Sequence, residues 1–221
     1  MHCSDLGSLL IVLGNTLFEI FRTMGGLITR PDEVLNEMVV LIRAAAKAIG
    51  EDQSPITQLT MGQIKASGKS PKLKKKASVA RKTLFCVRHI LKLYFPPSDE
   101  REQLRFLVID HYCKMYEKLE AWTEGMNLGS EVAAHGRRML LLFSELSCMT
   151  PEGERLVFWR PVPKMHQMQH CLESQVATAG NPRDCWCYLD ESTIGDLVGV
   201  AESCHHSFVH RACLAKARID G

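Results

Sequence analysis

The amino-acid sequence predicts a mostly α-helical fold, a bundle of about six to eight helices with at most one or two short strands near residues 155–160. Two observations support this class. Apolar residues recur at helical spacing over several long stretches, and proline, serine or acidic residues stand where many of those stretches begin. The chain has no internal repeat, and its one low-complexity tract is a short lysine cluster. We therefore expect packed helices.

Local signals place the helix boundaries. Pro31 and the two acids that follow it mark a helix start, because proline suits the first turn and acids are favoured near a helix N-terminus. A further helix runs from about Lys74 to the Pro96-Pro97 pair, and Ser98 starts the next one. The predicted helices lie near residues 6–25, 31–50, 74–95, 98–125, 130–148, 164–176, 190–204 and 209–218.

The helix predicted from Lys74 to Phe95 has two distinct faces on a helical wheel. The residues expected on the core face are Val79, Thr83, Val87, Ile90 and Tyr94. The residues expected on the opposite, basic face are Lys74, Arg81, Arg88 and Lys92. This helix should therefore pack on one side and present positive charge on the other.

The length of 221 residues allows one sizeable core or two small ones. We expect a helical region over residues 1–150 that contains a basic segment at 65–92. A helical region rich in cysteine and histidine, residues 151–221, would pack on it. A single domain formed by the whole chain is the alternative.

Composition narrows the class of protein. An apolar fraction of 46% and a charged fraction of 24% are ordinary for a soluble globular protein. The apolar run Leu9–Leu13 is too short to span a bilayer, and no basic segment precedes it as in a secretory signal. Nine cysteines at scattered spacing favour reduced thiols or a metal site over disulfides. The sequence thus predicts an intracellular protein without membrane contact.

Positive charge is concentrated in one part of the chain. Between Gln53 and Ser98 there are ten Lys and Arg residues and no Asp or Glu, so this segment has a formal charge of +10. The rest of the chain has a formal charge of −8, which gives the net charge of +2. Such a segment favours salt-sensitive, sequence-independent contact with DNA or RNA phosphates. It is also typical of a nuclear localisation signal or of a solvated loop. The candidate contact residues are Lys69, Lys72, Lys74, Lys75, Lys76, Arg81, Lys82 and Arg88.

A first candidate metal site lies on the helix predicted at 164–176. On a helix, His166, His170 and Glu173 lie within about 60° of arc and can converge on one ion. The apolar residues of the same helix centre roughly 110° away, so these three side chains would border the core. Hydrogen-bonded structural histidines fit the same positions, and the sequence leaves both interpretations open.

A second candidate metal site lies nearer the C-terminus. Cys185, Cys187, Cys204 and His210 offer four ligands of the kind that zinc prefers. Their spacing differs from that of common zinc fingers and ribbons, and cysteine is also a common buried residue in helical cores. A zinc-stabilised helical module is therefore an alternative function, alongside a helical protein-interaction domain without a ligand.

An ordered set of residues in this region resembles a known family signature. The set is Lys164-x-His166, His170, Gly180-x-Pro182, Trp186-x-Tyr188 and Glu191. It resembles the C-terminal part of CACTA-type transposases, where K-x-H and H precede a G-P turn and W-x-Y-x-x-E. The wider pattern, with N-P-R, a later S-C-H and an upstream P-K-L-K-x-K-A at 71–77, is similar to transposon-like proteins multiplied in some protist genomes.

The resemblance implies DNA strand cleavage and transfer by two aspartates and one glutamate with two divalent ions, such as magnesium. Glu191 matches the family's glutamate. The two aspartates should precede it on strands of a sheet, yet the strand-like stretch Leu107–Asp110 lies in surroundings of helical period. We therefore expect a mobile-element-derived, non-catalytic helical fragment that contacts nucleic acid through residues 65–92.

Overall fold

A computed structural model of the chain describes residues 7–28, 30–65, 70–123, 125–155, 157–176 and 180–182, with only the backbone of Arg155 and Gln175. All described residues belong to one compact unit, Met1–Pro182. The predicted division into residues 1–150 and 151–221 stays a prediction, because most of the second region lies outside the described residues.

Eight α-helices form in the described part of the chain, and the predicted mostly helical fold is confirmed. They are α1 (Leu9–Thr23), α2 (Pro31–Ala48), α3 (Met61–Ile64), α4 (Ala77–Leu93), α5 (Glu100–Ala121), α6 (Gly129–Met149), α7 (Glu152–Arg155) and α8 (Pro163–His170). A π-helical turn, Cys171–Gln175, continues α8. No strand forms among these residues, and no helix there combines the length and apolar character needed to cross a membrane.

Helix α1 lies at the centre of the bundle. All but one of its residues from Leu9 to Phe21 are buried, including the polar Asn15, Thr16 and Glu19. A helix that is apolar on nearly every side must be surrounded by protein, and α1 contacts α2, α3 and α4 directly. The apolar run at its start therefore serves the core.

Helices α5 and α6 form the most extensive helix pair of the described chain. The N-terminus of α5 is capped by Asp99, whose Oδ1 accepts from the backbone N–H of Glu102 at 2.7 Å. The predicted start at Ser98 is one residue early. Ser98 instead donates from its hydroxyl to the Glu102 carboxylate at 2.8 Å, so both residues fix the first turn.

Asn181 closes the other end of α5. Its side-chain amide donates to the backbone oxygens of Leu119 at 3.3 Å and Trp122 at 2.9 Å, and the side chain is buried. Gly180 precedes it with a φ of +81°, a conformation that glycine adopts at little cost. The predicted Gly-Asn-Pro turn thus satisfies carbonyls at a helix end that would otherwise lack donors.

The faces of α4 match the prediction in its central turns. Thr83, Val87 and Ile90 are buried, but Tyr94 is 52% exposed. The prediction for Tyr94 was wrong because α4 ends at Leu93, so Tyr94 no longer follows the helical register.

A turn takes the place of the short strand considered near residues 155–160. Trp159 is fully buried and has a φ of +50°, which costs a residue with a side chain about 1–3 kcal/mol. Its backbone N–H donates to Asn15 Oδ1 at 3.0 Å, and its indole Nε1 donates to Glu19 Oε1 at 2.7 Å. Two hydrogen bonds to α1 and an edge contact with Phe143 hold it in place.

Candidate nucleic-acid interface

The lysine-rich segment Ser70–Lys76 runs as an extended chain across α1 and α3. The backbone N–H of Leu73 donates to the Leu10 oxygen at 2.9 Å. On either side of Leu73, the backbone N–H of Lys72 donates to the backbone oxygen of Ile64 at 2.8 Å. The backbone N–H of Lys74 donates to the backbone oxygen of Gln63, also at 2.8 Å. The Leu73 side chain is fully buried. The backbone of this segment is therefore fixed before any ligand arrives.

Extended backbone sends successive side chains to opposite sides. With Leu73 buried, Lys72 and Lys74 are exposed, as is Lys76, while Lys75 is half-buried. A cleft of about 730 Å³ opens at this place. It is lined by Leu10, Ser70, Lys72, Leu73, Lys74, Lys75 and Lys76. We call this feature the lysine cleft.

Gly14 allows the segment to lie so close to α1. A Cβ at this position would stand 2.5 Å from both the Cα and the backbone nitrogen of Lys72, and 2.7 Å from the nitrogen of Leu73. These are backbone atoms that cannot rotate away. Asn15 adds a second attachment by donating to the Pro71 oxygen at 3.4 Å. Glycine at position 14 is thus a requirement of the lysine cleft.

The charges of the lysine cleft are not neutralised within the described part of the chain. No described carboxylate forms an ion pair with Lys72, Lys74 or Lys76. Lys75 donates to the Gln58 backbone oxygen at 3.4 Å, a contact that leaves its charge uncompensated. Four positive charges therefore surround one concave surface.

The basic residues of α4 differ from those of the lysine cleft. Lys82 pairs with Glu51 at 2.5 Å, and the hydrogen bond and charge of Glu51 raise the pKa of Lys82. Arg88 pairs with Glu117 at 2.5 Å and lies 3.6 Å from Asp110. Both cations are already paired with carboxylates, and the pairing of Arg88 interrupts the predicted basic face.

Arg81 is engaged as well. Its guanidinium carbon lies 5.5 Å from the centre of the Tyr116 ring, a cation–π distance. A second cleft of about 410 Å³ lies beside it and mixes both signs of charge, because it is lined by Ile49, Glu51, Ser78, Arg81, Lys82, Phe85, Arg88 and Glu120. Mixed charge suits a polyanion poorly.

Of the eight predicted contact residues, four line the lysine cleft, and Lys69 lies outside the described residues.

The structure brings together two of the three residues of the first candidate metal site. The Nε2 atoms of His166 and His170 lie 3.0 Å apart, and both side chains are exposed. Glu173 lies apart from the pair, because its carboxylate accepts from the Gln169 amide at 2.8 Å. Glu173, the predicted third ligand, is therefore hydrogen-bonded to Gln169 and does not join the histidine pair.

The second candidate metal site, which consists of Cys185, Cys187, Cys204 and His210, lies outside the described residues. So does Glu191, the residue that matches the glutamate of the transposase pattern. In the ranges that the structure describes, no three His, Cys, Asp or Glu side chains form a group that could hold a metal ion. Leu107–Asp110, considered as a strand, lies within α5.

Two described cysteines are packing residues. Cys86 and Cys113 are both fully buried, on α4 and α5. Burial raises the pKa of Cys86 to about 11 and raises the pKa of Cys113 further. Burial disfavours the reactive thiolate form, which agrees with a packing role for both side chains.

The described signature residues have structural contacts. Lys164, His166 and His170 all lie on α8. The side chain of Lys164 lies over Gly7, where an added Cβ would stand 2.6 Å from its Cδ. Together with the Gly180 turn, these contacts place part of the K-x-H and G-x-P pattern in the scaffold.

A second histidine pair, which sequence reasoning missed, joins α5 to α6. The Nδ1 atoms of His111 and His135 lie 3.1 Å apart, and both rings are partly buried. Residues on two different helices carry no spacing signal, so only the packing of α5 on α6 shows the pair. Burial, helped by His135 and by Lys114 and Arg138, lowers the pKa of His111 below its ordinary value of 6.5, although Asp110 opposes the shift.

Acidification is expected to destabilise the fold through His111. Its folded-state pKa is below its unfolded-state value, so the unfolded chain binds the proton more readily. The contribution of His111 to the free energy of unfolding is therefore fully present above pH 6.5 and is lost as pH falls from there through the folded-state pKa. Urea unfolding across this range should show a smaller decline for His111→Gln than for the wild type. An equal decline in both proteins would contradict this role.

The sequence matches no family model, no curated protein and no solved structure.

Proposed function

We propose that this protein is a mobile-element-derived, non-catalytic helical protein that binds the phosphate backbone of nucleic acid through the lysine cleft. The observation that supports it most is that four lysines line one concave surface whose backbone is hydrogen-bonded to α1 and α3. The resemblance of residues 164–191 to CACTA-type transposases supports the mobile-element origin.

Phosphate binding suits the chemistry of the lysine cleft. An ammonium group is a compact, mobile point charge, which favours phosphate oxygens without selecting a base. No aromatic side chain lines the described cleft, so stacking on bases contributes nothing from these residues. The proposed binding is therefore sequence-independent and driven by release of counterions.

A triple variant tests the proposal. Lys72, Lys74 and Lys76 are exposed, so replacing all three by glutamine should leave the fold unchanged. Each lost phosphate contact removes about 0.9 from the salt slope on duplex DNA, so three should lower affinity by about a hundredfold or more near 0.1 M salt. Fluorescence anisotropy with a labelled duplex and a labelled single strand measures this loss.

The matched control replaces basic residues of the same predicted segment that lie outside the lysine cleft. In the variant Lys82→Gln/Lys92→Gln, one residue is already paired with Glu51 and the other lies at the end of α4. This variant should keep most of the wild-type affinity. An equal loss of nucleic-acid affinity in both variants would contradict the proposal that binding takes place at the lysine cleft. Binding to anionic vesicles but to neither nucleic acid would assign the cleft to a membrane surface instead.

A further inference from the structure

We propose that His166 and His170 form a two-ligand site for a borderline transition-metal ion of the Cu²⁺ or Ni²⁺ class. The two side chains stand one helical turn apart on α8, and the pair lies outside the lysine cleft. The proposal is independent of nucleic-acid binding.

The scaffold beneath the two histidines is fixed. On the opposite face of α8, Met165 and Met168 are buried. The sulfur of Met168 accepts from the Ser8 hydroxyl at 3.3 Å, which ties α8 to the residue that precedes α1. The backbone that carries both imidazoles is therefore held in place, one helical turn apart.

The imidazole geometry suits two cis positions around one ion. The Nε2 atoms lie 3.0 Å apart, with ring centres 4.3 Å apart and ring planes at 72°. With these nitrogens 3.0 Å apart, an ion at the usual distance of about 2.0–2.1 Å from each would subtend an angle of about 91–97° between them. That angle matches neighbouring corners of the square-planar or tetragonal geometry that Cu²⁺ and Ni²⁺ prefer.

Metal binding replaces the present hydrogen bond between the rings. At 3.0 Å one Nε2–H donates to the lone pair of the other Nε2, so the two rings are in different tautomers. Coordination through both Nε2 lone pairs requires the donor ring to move its proton from Nε2 to Nδ1. The proton stays on the same ring, and no oxidant or second reactant is needed.

The ligand set limits the class of ion. Glu173 is held by Gln169, and no third His, Cys, Asp or Glu joins the pair within the described ranges. Imidazole nitrogens suit Cu²⁺, Ni²⁺ and Zn²⁺, whereas Mg²⁺ prefers oxygen. The site would thus hold a borderline ion through two protein ligands and leave the other positions to water or to an external donor.

Calorimetric titration of the full chain with Ni²⁺ tests the site, with Mg²⁺ as the negative probe. His166→Gln and His170→Gln should each remove one nickel equivalent or weaken it by about tenfold or more. Other cysteines and histidines of the chain can bind nickel too. The test is therefore the difference in nickel binding between the wild type and each variant. Both replaced side chains are exposed, and the melting temperature without metal should not change.

A composition-matched variant separates convergence from histidine content. Gln167 is exposed, and His170→Gln combined with Gln167→His keeps two histidines but places them side by side, about 100° apart around the helix. This variant should behave like His170→Gln. Nickel binding equal to that of the wild type in this variant or in either single variant would overturn the proposal, as would a wild type that binds no nickel.

Discussion

Replacing Glu19 by alanine is expected to lower the free energy of unfolding by about 3–5 kcal/mol, because it removes the close carboxylate partner of a buried arginine. The Glu19 carboxylate accepts from three donors. Its Oε2 accepts from Arg105 at 3.0 Å, while its Oε1 accepts from the Trp159 indole and from Arg101. The substitution removes all three acceptor contacts at once.

Arg105 makes the loss severe. Its residue exposure is 4%, and its Nε lacks a hydrogen-bond partner among the described residues. Its other carboxylate contact, with Glu102, spans 3.8 Å. The Arg105 guanidinium therefore depends on Glu19 for its charge compensation. In Glu19→Ala the buried Arg105 keeps its charge but loses this carboxylate, and that loss destabilises the fold.

Urea unfolding followed by circular dichroism measures the effect, with Glu33→Ala as the matched control. Glu33 pairs with Arg30 at 2.9 Å on an exposed surface, where such pairs contribute about 0–1 kcal/mol. A Glu19→Ala variant as stable as Glu33→Ala would contradict the account. The double variant Glu19→Leu/Arg105→Met should recover part of the loss, because it removes both charges together.

The second large effect is expected at Gly14. Replacing it by valine should lower the free energy of unfolding by about 1–3 kcal/mol through overpacking, and should also weaken nucleic-acid binding. The new side chain would displace the backbone of Lys72, 2.5 Å from its Cβ, and with it the hydrogen bond from Leu73 to Leu10. The lysine cleft would then lose its fixed backbone while keeping every lysine.

Gly62→Val is the control for this change. Among the described residues, an added Cβ at Gly62 meets the Thr60 hydroxyl oxygen alone, at 4.0 Å. Its effect on stability should stay within about 0.5 kcal/mol, as for most surface substitutions. Unfolding and anisotropy measurements on both variants decide the matter. If Gly14→Val bound nucleic acid as tightly as the wild type, the close contact with α1 would have no part in binding.

Local signals in the sequence were sufficient for most helices. Pro31 and its acids begin α2, and the Pro96-Pro97 pair follows the end of α4 closely. These boundaries depend on neighbours in sequence, so a single chain carries the information. The same holds for the spacing of His166 and His170, whose Nε2 atoms do meet.

Features that depend on distant contacts were not predictable. Gly14 counts against a helix by propensity, yet here it admits the backbone of Lys72. Trp159 has a positive φ and donates its two N–H groups to Asn15 and Glu19 on α1, contacts that no local signal in the sequence shows. Glu173 is a different case, because the Gln169 amide that bonds to it lies four residues back, a local spacing that the sequence does contain.

Counting the basic residues in the sequence also predicted an interface that includes residues already paired in the fold. The sequence shows ten basic residues and no acid between Gln53 and Ser98. It does not show that carboxylates from outside this range, Glu51 and Glu117, neutralise Lys82 and Arg88 in the fold. Only tertiary packing separates these compensated cations from the lysines of the lysine cleft.

The slope of the logarithm of the binding constant against the logarithm of salt concentration tests the central claim most directly. On duplex DNA the wild-type slope should be steeper than that of Lys72→Gln/Lys74→Gln/Lys76→Gln by about 2.7, because each phosphate contact contributes about 0.9. The Lys82→Gln/Lys92→Gln control should keep nearly the wild-type slope. Equal slopes for the wild type and the triple variant would show that these lysines contact no phosphates, and would contradict the proposed function.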